Sequence, residues 1–112
     1  MIHPRENEIL NILAGSEEAM TSADIVEKGN RLSQSTVQAV LRKLLKDGLV
    51  SVEGITHSGN ALSRTYRPTE KARELAKEQY IEGYKAIRHI VPVNDILKEL
   101  AKIGGEWIGS ET

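Results

Sequence analysis

The hydrophobic period changes at residue 48, and no single element can carry both periods. Before it, Val37, Val40, Leu41 and Leu44 follow the i, i+3, i+4, i+7 spacing of one helical face. After it, Leu49-Val50-Ser51-Val52-Glu53 alternates as a half-buried strand does. Ser33 predicts an N-cap for the helix, and Gly48 predicts the left-handed residue that ends it. A second alternating run, Ala61 to Arg67, is closed by Pro68, and His57-Ser58-Gly59-Asn60 between the runs is turn chemistry. Gly54 interrupts the first strand's alternation and predicts a bulge. A helix that hands over directly to a hairpin is the joint on which the rest of the reading hangs.

Four further segments read as helices on either side of that joint. The first runs from Pro4 or Arg5 to Ala14, with Ile9, Leu10, Ile12 and Leu13 as its apolar side. The second opens at Thr21-Ser22-Ala23-Asp24, a capping-box pattern, turns Ala23, Ile25 and Val26 inward, and stops at Gly29-Asn30. Thr69 to Val91 reads as one long helix ended by Pro92, and Glu70–Arg73, Glu74–Lys77 and Glu82–Lys85 form its i, i+3 ion pairs. Asn94 is then expected to cap a last helix through Ile96, Leu97, Leu100 and Ile103. Three helices, a hairpin and more helix is the order of a winged helix-turn-helix with a helical appendix. The fold class is therefore mainly α with a small β-hairpin: a winged helix-turn-helix over 1–68, C-terminal dimerisation helices over 69–105, and a tail over 106–112 that holds Trp107.

Composition excludes several function classes. With 39% apolar and 28% charged residues the chain is an ordinary globular one. No apolar run approaches the roughly 20 residues that span a bilayer, and the start lacks signal-peptide regions, so a cytoplasmic protein is expected. The absence of Cys excludes disulfides, thiolate metal sites and cysteine nucleophiles. His3, His57 and His89 have no metal-ligand spacing, and there is neither a phosphate-binding glycine loop nor a serine elbow. No enzyme, no metal and no cofactor are expected.

Net charge is −1, but its distribution is uneven: residues 1–30 carry −4, residues 31–67 carry +4 and the remainder −1. A basic middle in a neutral chain suits a polyanion. At 100° per residue, Ser35, Gln38, Ala39, Arg42 and Lys46 lie opposite the apolar face of the third helix, with Lys43 flanking them. That face holds no acid. Gln reads adenine through its amide and Arg reads guanine bidentately. Ser33, Gln34, Ser35 and Thr36 offer phosphate contacts at the helix N-terminus. In the hairpin, Arg64 and Arg67 are the phosphate candidates, with His57, Ser58 and Asn60 at the tip. The two arginines differ in strand parity, so one of them can be structural. The competing reading is a solvated polar face, and for His57 a merely exposed loop histidine.

The long helix carries a stripe of Ala72, Ala76, Tyr80, Tyr84, Ile87 and Val91, widened by Leu75. It either packs on the winged unit or joins two subunits. Leu75, Tyr80, Tyr84, Ile87, Val91, Ile96, Leu97 and Leu100 are expected at a dimer interface, because exposed on a monomer they would form an oversized apolar patch.

Residues 32–50, Leu-Ser-Gln-Ser-Thr-Val-Gln-Ala-Val-Leu-Arg-Lys-Leu-Leu-Lys-Asp-Gly-Leu-Val, resemble the recognition helix of winged-helix bacterial regulators. The opening Asn7-Glu8-Ile9-Leu10-Asn11-Ile12-Leu13 and the return strand Ser63-Arg64-Thr65-Tyr66-Arg67-Pro68 narrow this to a resemblance to the penicillinase-repressor and methicillin-resistance-repressor family. It covers residues 5–68 well and the remainder in outline. The resemblance implies a homodimeric repressor on a palindromic operator in double-stranded DNA. The family's inactivating cleavage at an Asn-Phe bond has no counterpart in a chain without Phe, and its copper-responsive Cys pairs have none in a chain without Cys. The effector, small molecule or protein, stays open. The expectation is a DNA-binding regulator, a repressor rather than an activator; the alternative is a winged-helix interaction module that binds no DNA.

Overall fold

The structure, a computed structural model, describes residues 1–58 and 61–104. Its elements are α1 (Pro4–Ala14), α2 (Ser22–Lys28), α3 (Gln34–Lys46), β1 (Val50–Ser58), β2 (Ala61–Pro68), α4 (Glu70–Lys85) and α5 (Val93–Ile103). The chain divides into two compact units, Met1–Gln79 and Tyr80–Thr112, with the boundary inside α4.

The first unit holds the apolar core. Ile9, Leu10 and Leu13 of α1, Ile25 of α2, and Val37, Leu41 and Leu44 of α3 are buried together with Ile2, Met20, Leu32, Leu49, Val50 and Ala72. Leu75 is half-buried and packs against this core. Local chemistry sets the helix ends. Thr21 Oγ1 accepts from the Asp24 amide and Asp24 Oδ2 from the Thr21 amide, both at 3.1 Å, completing the predicted capping box. Of the expected inward residues of α2, Ile25 is buried and Val26 half-buried, but Ala23 is exposed. A seven-residue helix offers the core little more than one turn of its face.

At the far end of α3, Gly48 has φ +76. The Leu49 amide donates to the Leu44 carbonyl at 2.8 Å and the Gly48 amide to that of Leu45 at 3.1 Å. This is a Schellman motif, and its left-handed residue must be glycine to avoid a Cβ penalty. The turn delivers Leu49 into the core and starts the hairpin. Thr69 locks the same corner: its amide donates to the Leu49 carbonyl at 3.0 Å and its hydroxyl to the Gly48 carbonyl at 2.7 Å.

β1 and β2 pair antiparallel from Val50↔Pro68 to Ser58↔Ala61. The register shifts between Val52 and Gly54, leaving Glu53 as the extra residue, so the predicted bulge is present. Strand β1 reaches further than its alternation indicated. His57 therefore belongs to the strand, opposite Leu62, rather than to the turn. Paired amides and carbonyls between Met20 and Tyr66, at 3.2 and 2.8 Å, tie β2 to the loop before α2.

In the second unit the expected long helix is shorter. Helix α4 ends at Lys85, and residues 86–90 form tight turns with i→i+3 bonds, such as Ile90 to Ile87 at 2.8 Å. Pro92 disfavours helical backbone at Val91, and the Tyr84 hydroxyl donates to the freed Val91 carbonyl at 2.9 Å. Asn94 does not cap α5. Pro92 occupies the cap, and its carbonyl accepts from the Asp95 amide at 3.0 Å. None of the described residues of this unit is buried. Trp107 and the tail lie outside the described residues.

Candidate nucleic-acid interface

Helix α3 and strand β2 face each other across a groove lined by Ser22, Gln38, Leu41, Arg42, Leu45, Leu62, Ser63, Arg64 and Tyr66. Leu41, Leu45, Leu62 and Tyr66 supply its apolar lining. Its rim carries Gln38 and Arg42 from the helix and Arg64 from the strand. No carboxylate lines it among the described residues. Arg42, Lys46 and Arg64 are not buried and form no ion pair among the described residues. Ser35 and Ala39 are exposed on the same outer face of α3.

The N-terminal turn of α3 is more occupied than its sequence suggested. Ser33 Oγ accepts from the Thr36 amide at 3.2 Å and donates to Thr36 Oγ1 at 2.9 Å. Gln34 Nε2 donates to Ser22 Oγ at 2.7 Å, tying α3 to α2. Arg31, two residues before the N-cap of α3, is exposed with φ 60, a left-handed conformation that an arginine rarely adopts. Its charge was visible in the basic segment, but no pattern distinguished its backbone.

Strand parity separates the two hairpin arginines. Leu62, Arg64 and Tyr66 share one face of β2, and Arg67 has the opposite parity. The Arg67 guanidinium donates to the Glu17 carbonyl and lies 3.8 Å from Glu53 Oε1. It joins the hairpin to the α1–α2 loop. His57 is exposed, Ser58 ends β1, and Asn60 lies outside the described residues.

Lys43 is engaged by two carboxylates. Its Nζ lies 2.8 Å from Glu6 Oε2 and 2.9 Å from Asp47 Oδ2. Glu6 is only 4% exposed, and its other oxygen accepts from the His3 amide at 2.9 Å. Burial pushes the Glu6 carboxyl up, but the His3 amide and Lys43 together hold it below the ordinary value of 4.5. Hydrogen bonds to Glu6 and then Asp47 raise Lys43 above 10.5, and the Lys43 bond lowers Asp47 below 3.8. In the sequence Glu6 showed only as an acid in a first helical turn. Its partner lies 37 positions away, beyond the reach of any local pattern.

Residues 2–72 match the family model described as a winged helix DNA-binding domain. The sequence matches no curated protein significantly. Among solved structures, the reduced form of the transcriptional regulator YodB from B. subtilis is 20% identical with a TM-score of 0.55, over 77% of this chain and 80% of that one. A single-residue mutant of ZitR from Lactococcus lactis is 25% identical with a TM-score of 0.55, over 92% and 73%. A PadR family transcriptional regulator from Eggerthella lenta is 19% identical with a TM-score of 0.54, over 89% and 86%.

Proposed function

Because the chain belongs to the winged helix DNA-binding domain family, we propose that it is a transcriptional repressor that holds a palindromic operator as a homodimer. One observation carries the DNA-reading part: Gln38, Arg42 and Arg64 converge on an acid-free groove between α3 and the hairpin. Helix α3 enters the major groove, where Gln38 and Arg42 read base edges. Arg64 neutralises a phosphate beside it, and Lys46 follows the backbone at the end of α3. Ser35 and Ala39 complete the outer face, Ala39 as an apolar contact. Ser33, Gln34 and Thr36 hold the helix entrance in shape.

The dimer rests on the second unit. Tyr80 is 53% exposed and Val93 51%, and Ile96, Leu97 and Leu100 are only half-buried. Its apolar side chains find no core within the unit, and a second copy supplies one. Tyr84 is bonded to Val91 at the turn and frames this surface with Ile87. The opening helix, recognition helix and return strand resemble the penicillinase-repressor family, and from it the reading takes its mode of action: occlusion of a promoter in the bacterial cytoplasm. No catalytic step is assigned to the groove.

The test is selection from a pool of random duplex DNA at moderate salt, with the mass of the free and bound protein measured alongside. A two-fold symmetric motif enriched by a dimer is the expected result. Unselective binding, or binding by a monomer, refutes the operator reading and turns the search for partners to proteins.

A further inference from the structure

The Glu6–Lys43–Asp47 cluster stands at the seam between α1 and the last turns of α3, outside the groove. Lys43 is the only cation of α3 that other side chains engage among the described residues. Its neighbours on the helix surface, Ala39 four residues before and Lys46 three after, lie on the outer face. With one rotamer change its ammonium would join them. Two carboxylates prevent this, and one of them is buried and anchored by the His3 amide. The same end of α3 is held from a third side, where Lys71 Nζ donates to the Asp47 carbonyl at 2.8 Å. These contacts add to the core packing of Val37, Leu41 and Leu44 in holding that end of α3 in one orientation. That orientation decides whether Gln38 and Arg42 meet base edges or phosphates.

We infer that Glu6 is a positioning residue for DNA discrimination. By holding Lys43 at the seam with α1, it steadies that end of the recognition helix and keeps an unselective cation off the DNA. This rests on the DNA-binding reading above and assigns Lys43 a role opposite to that of a phosphate contact. An ion pair suits the task because it is directional. A buried carboxylate adds little net stability over an apolar pair, but it fixes one arrangement.

The two roles predict different salt dependence. Each phosphate neutralised contributes about 0.9 to the fall of log K with log salt. The experiment measures this slope between roughly 50 and 200 mM salt on random duplex and on the selected operator, for wild type, K43M, E6Q and the double variant. Circular dichroism establishes that each is folded. We expect K43M to keep the wild-type slope. We expect E6Q to steepen the slope on random duplex by about 0.9, since Lys43, then held only by its solvent-exposed pair with Asp47, gains a phosphate. Its preference for operator over random duplex falls as its random binding rises, and the double variant returns to the wild-type slope.

A K43M slope shallower by about 0.9 overturns the inference, because Lys43 then already neutralises a phosphate. So does an E6Q protein with unchanged slope and preference. Should E6Q fail to fold, the K43M slope decides alone. A wild type that binds random duplex but selects no operator refutes the repressor reading, while the slopes still decide where Lys43 acts. A wild type that binds no duplex refutes both.

Discussion

Replacing Arg64 and Arg67 separately with Ala tests the division of labour within the hairpin. The two residues are three apart on one strand and so have opposite parity. Arg67 donates to the Glu17 carbonyl and lies 3.8 Å from Glu53. Glu17 is exposed, so its carbonyl regains water when the guanidinium is removed, and the loss lies at the low end for such a bond, about 1 kcal/mol. The long pair with Glu53, more than half exposed on the carboxylate side, adds a few tenths of a kcal/mol at most. For a domain of this size, that lowers the melting temperature by about 4–8 °C. Arg64 has no ion-pair partner among the described residues, so Arg64→Ala stays within about 0.5 kcal/mol of wild type. Binding reverses the order. Arg64→Ala makes the salt slope shallower by about 0.9, which over a fourfold change in salt amounts to roughly a 3.5-fold smaller loss of affinity. Arg67→Ala leaves the slope unchanged. Thermal unfolding and fluorescence-anisotropy titrations on duplex DNA at several salt concentrations measure both quantities. An Arg67→Ala protein with wild-type melting and a shallower slope would refute the reasoning from strand parity.

Arg42→Ala should lose about 1–3 kcal/mol of operator over random binding, read from competition titrations, if Arg42 reads a base as proposed. Ile25→Ala should destabilise by about 2–5 kcal/mol in denaturant unfolding, because Ile25 is fully buried and α2 has no other buried apolar side chain to compensate. Ile96→Asp combined with Leu100→Asp should give a monomer by sedimentation and weaken operator binding, while the first unit keeps its fold. Acid should destabilise the protein through Glu6, whose folded value is depressed. Its contribution is complete above the ordinary value of 4.5 and disappears as pH falls through the lower folded value. Melting curves from neutral pH down to about pH 3 should show a smaller acid-induced drop in E6Q than in wild type.

Most of the first unit was legible because its signals are local. A cap, a Schellman glycine and a change of period act within a few residues, so α3, its ends, the hairpin and the bulge at Glu53 follow from adjacent side chains. Two errors of extent share one cause. Strand β1 runs on to Ser58 because cross-strand partners extend it, and α4 stops at Lys85 although its apolar stripe continues into the turns after it. Periodicity reports which residues are apolar on one side, and a tight turn can preserve that spacing.

The site divides along the same line. The amino-acid sequence determined by itself which chemistry is present: a helix whose outer face bears Gln38, Arg42 and Lys46 without an acid, followed by a hairpin bearing two arginines. Only the tertiary structure decided which of those cations are free. Lys43 is drawn to Glu6 across the seam with α1, and Arg67 to the Glu17 carbonyl beyond the hairpin, while Arg42 and Arg64 stand beside one groove with no ion-pair partner among the described residues. A charge's partner is whatever folding brings within about 4 Å of it, and in a compact chain that neighbour comes from a distant segment as readily as from a near one.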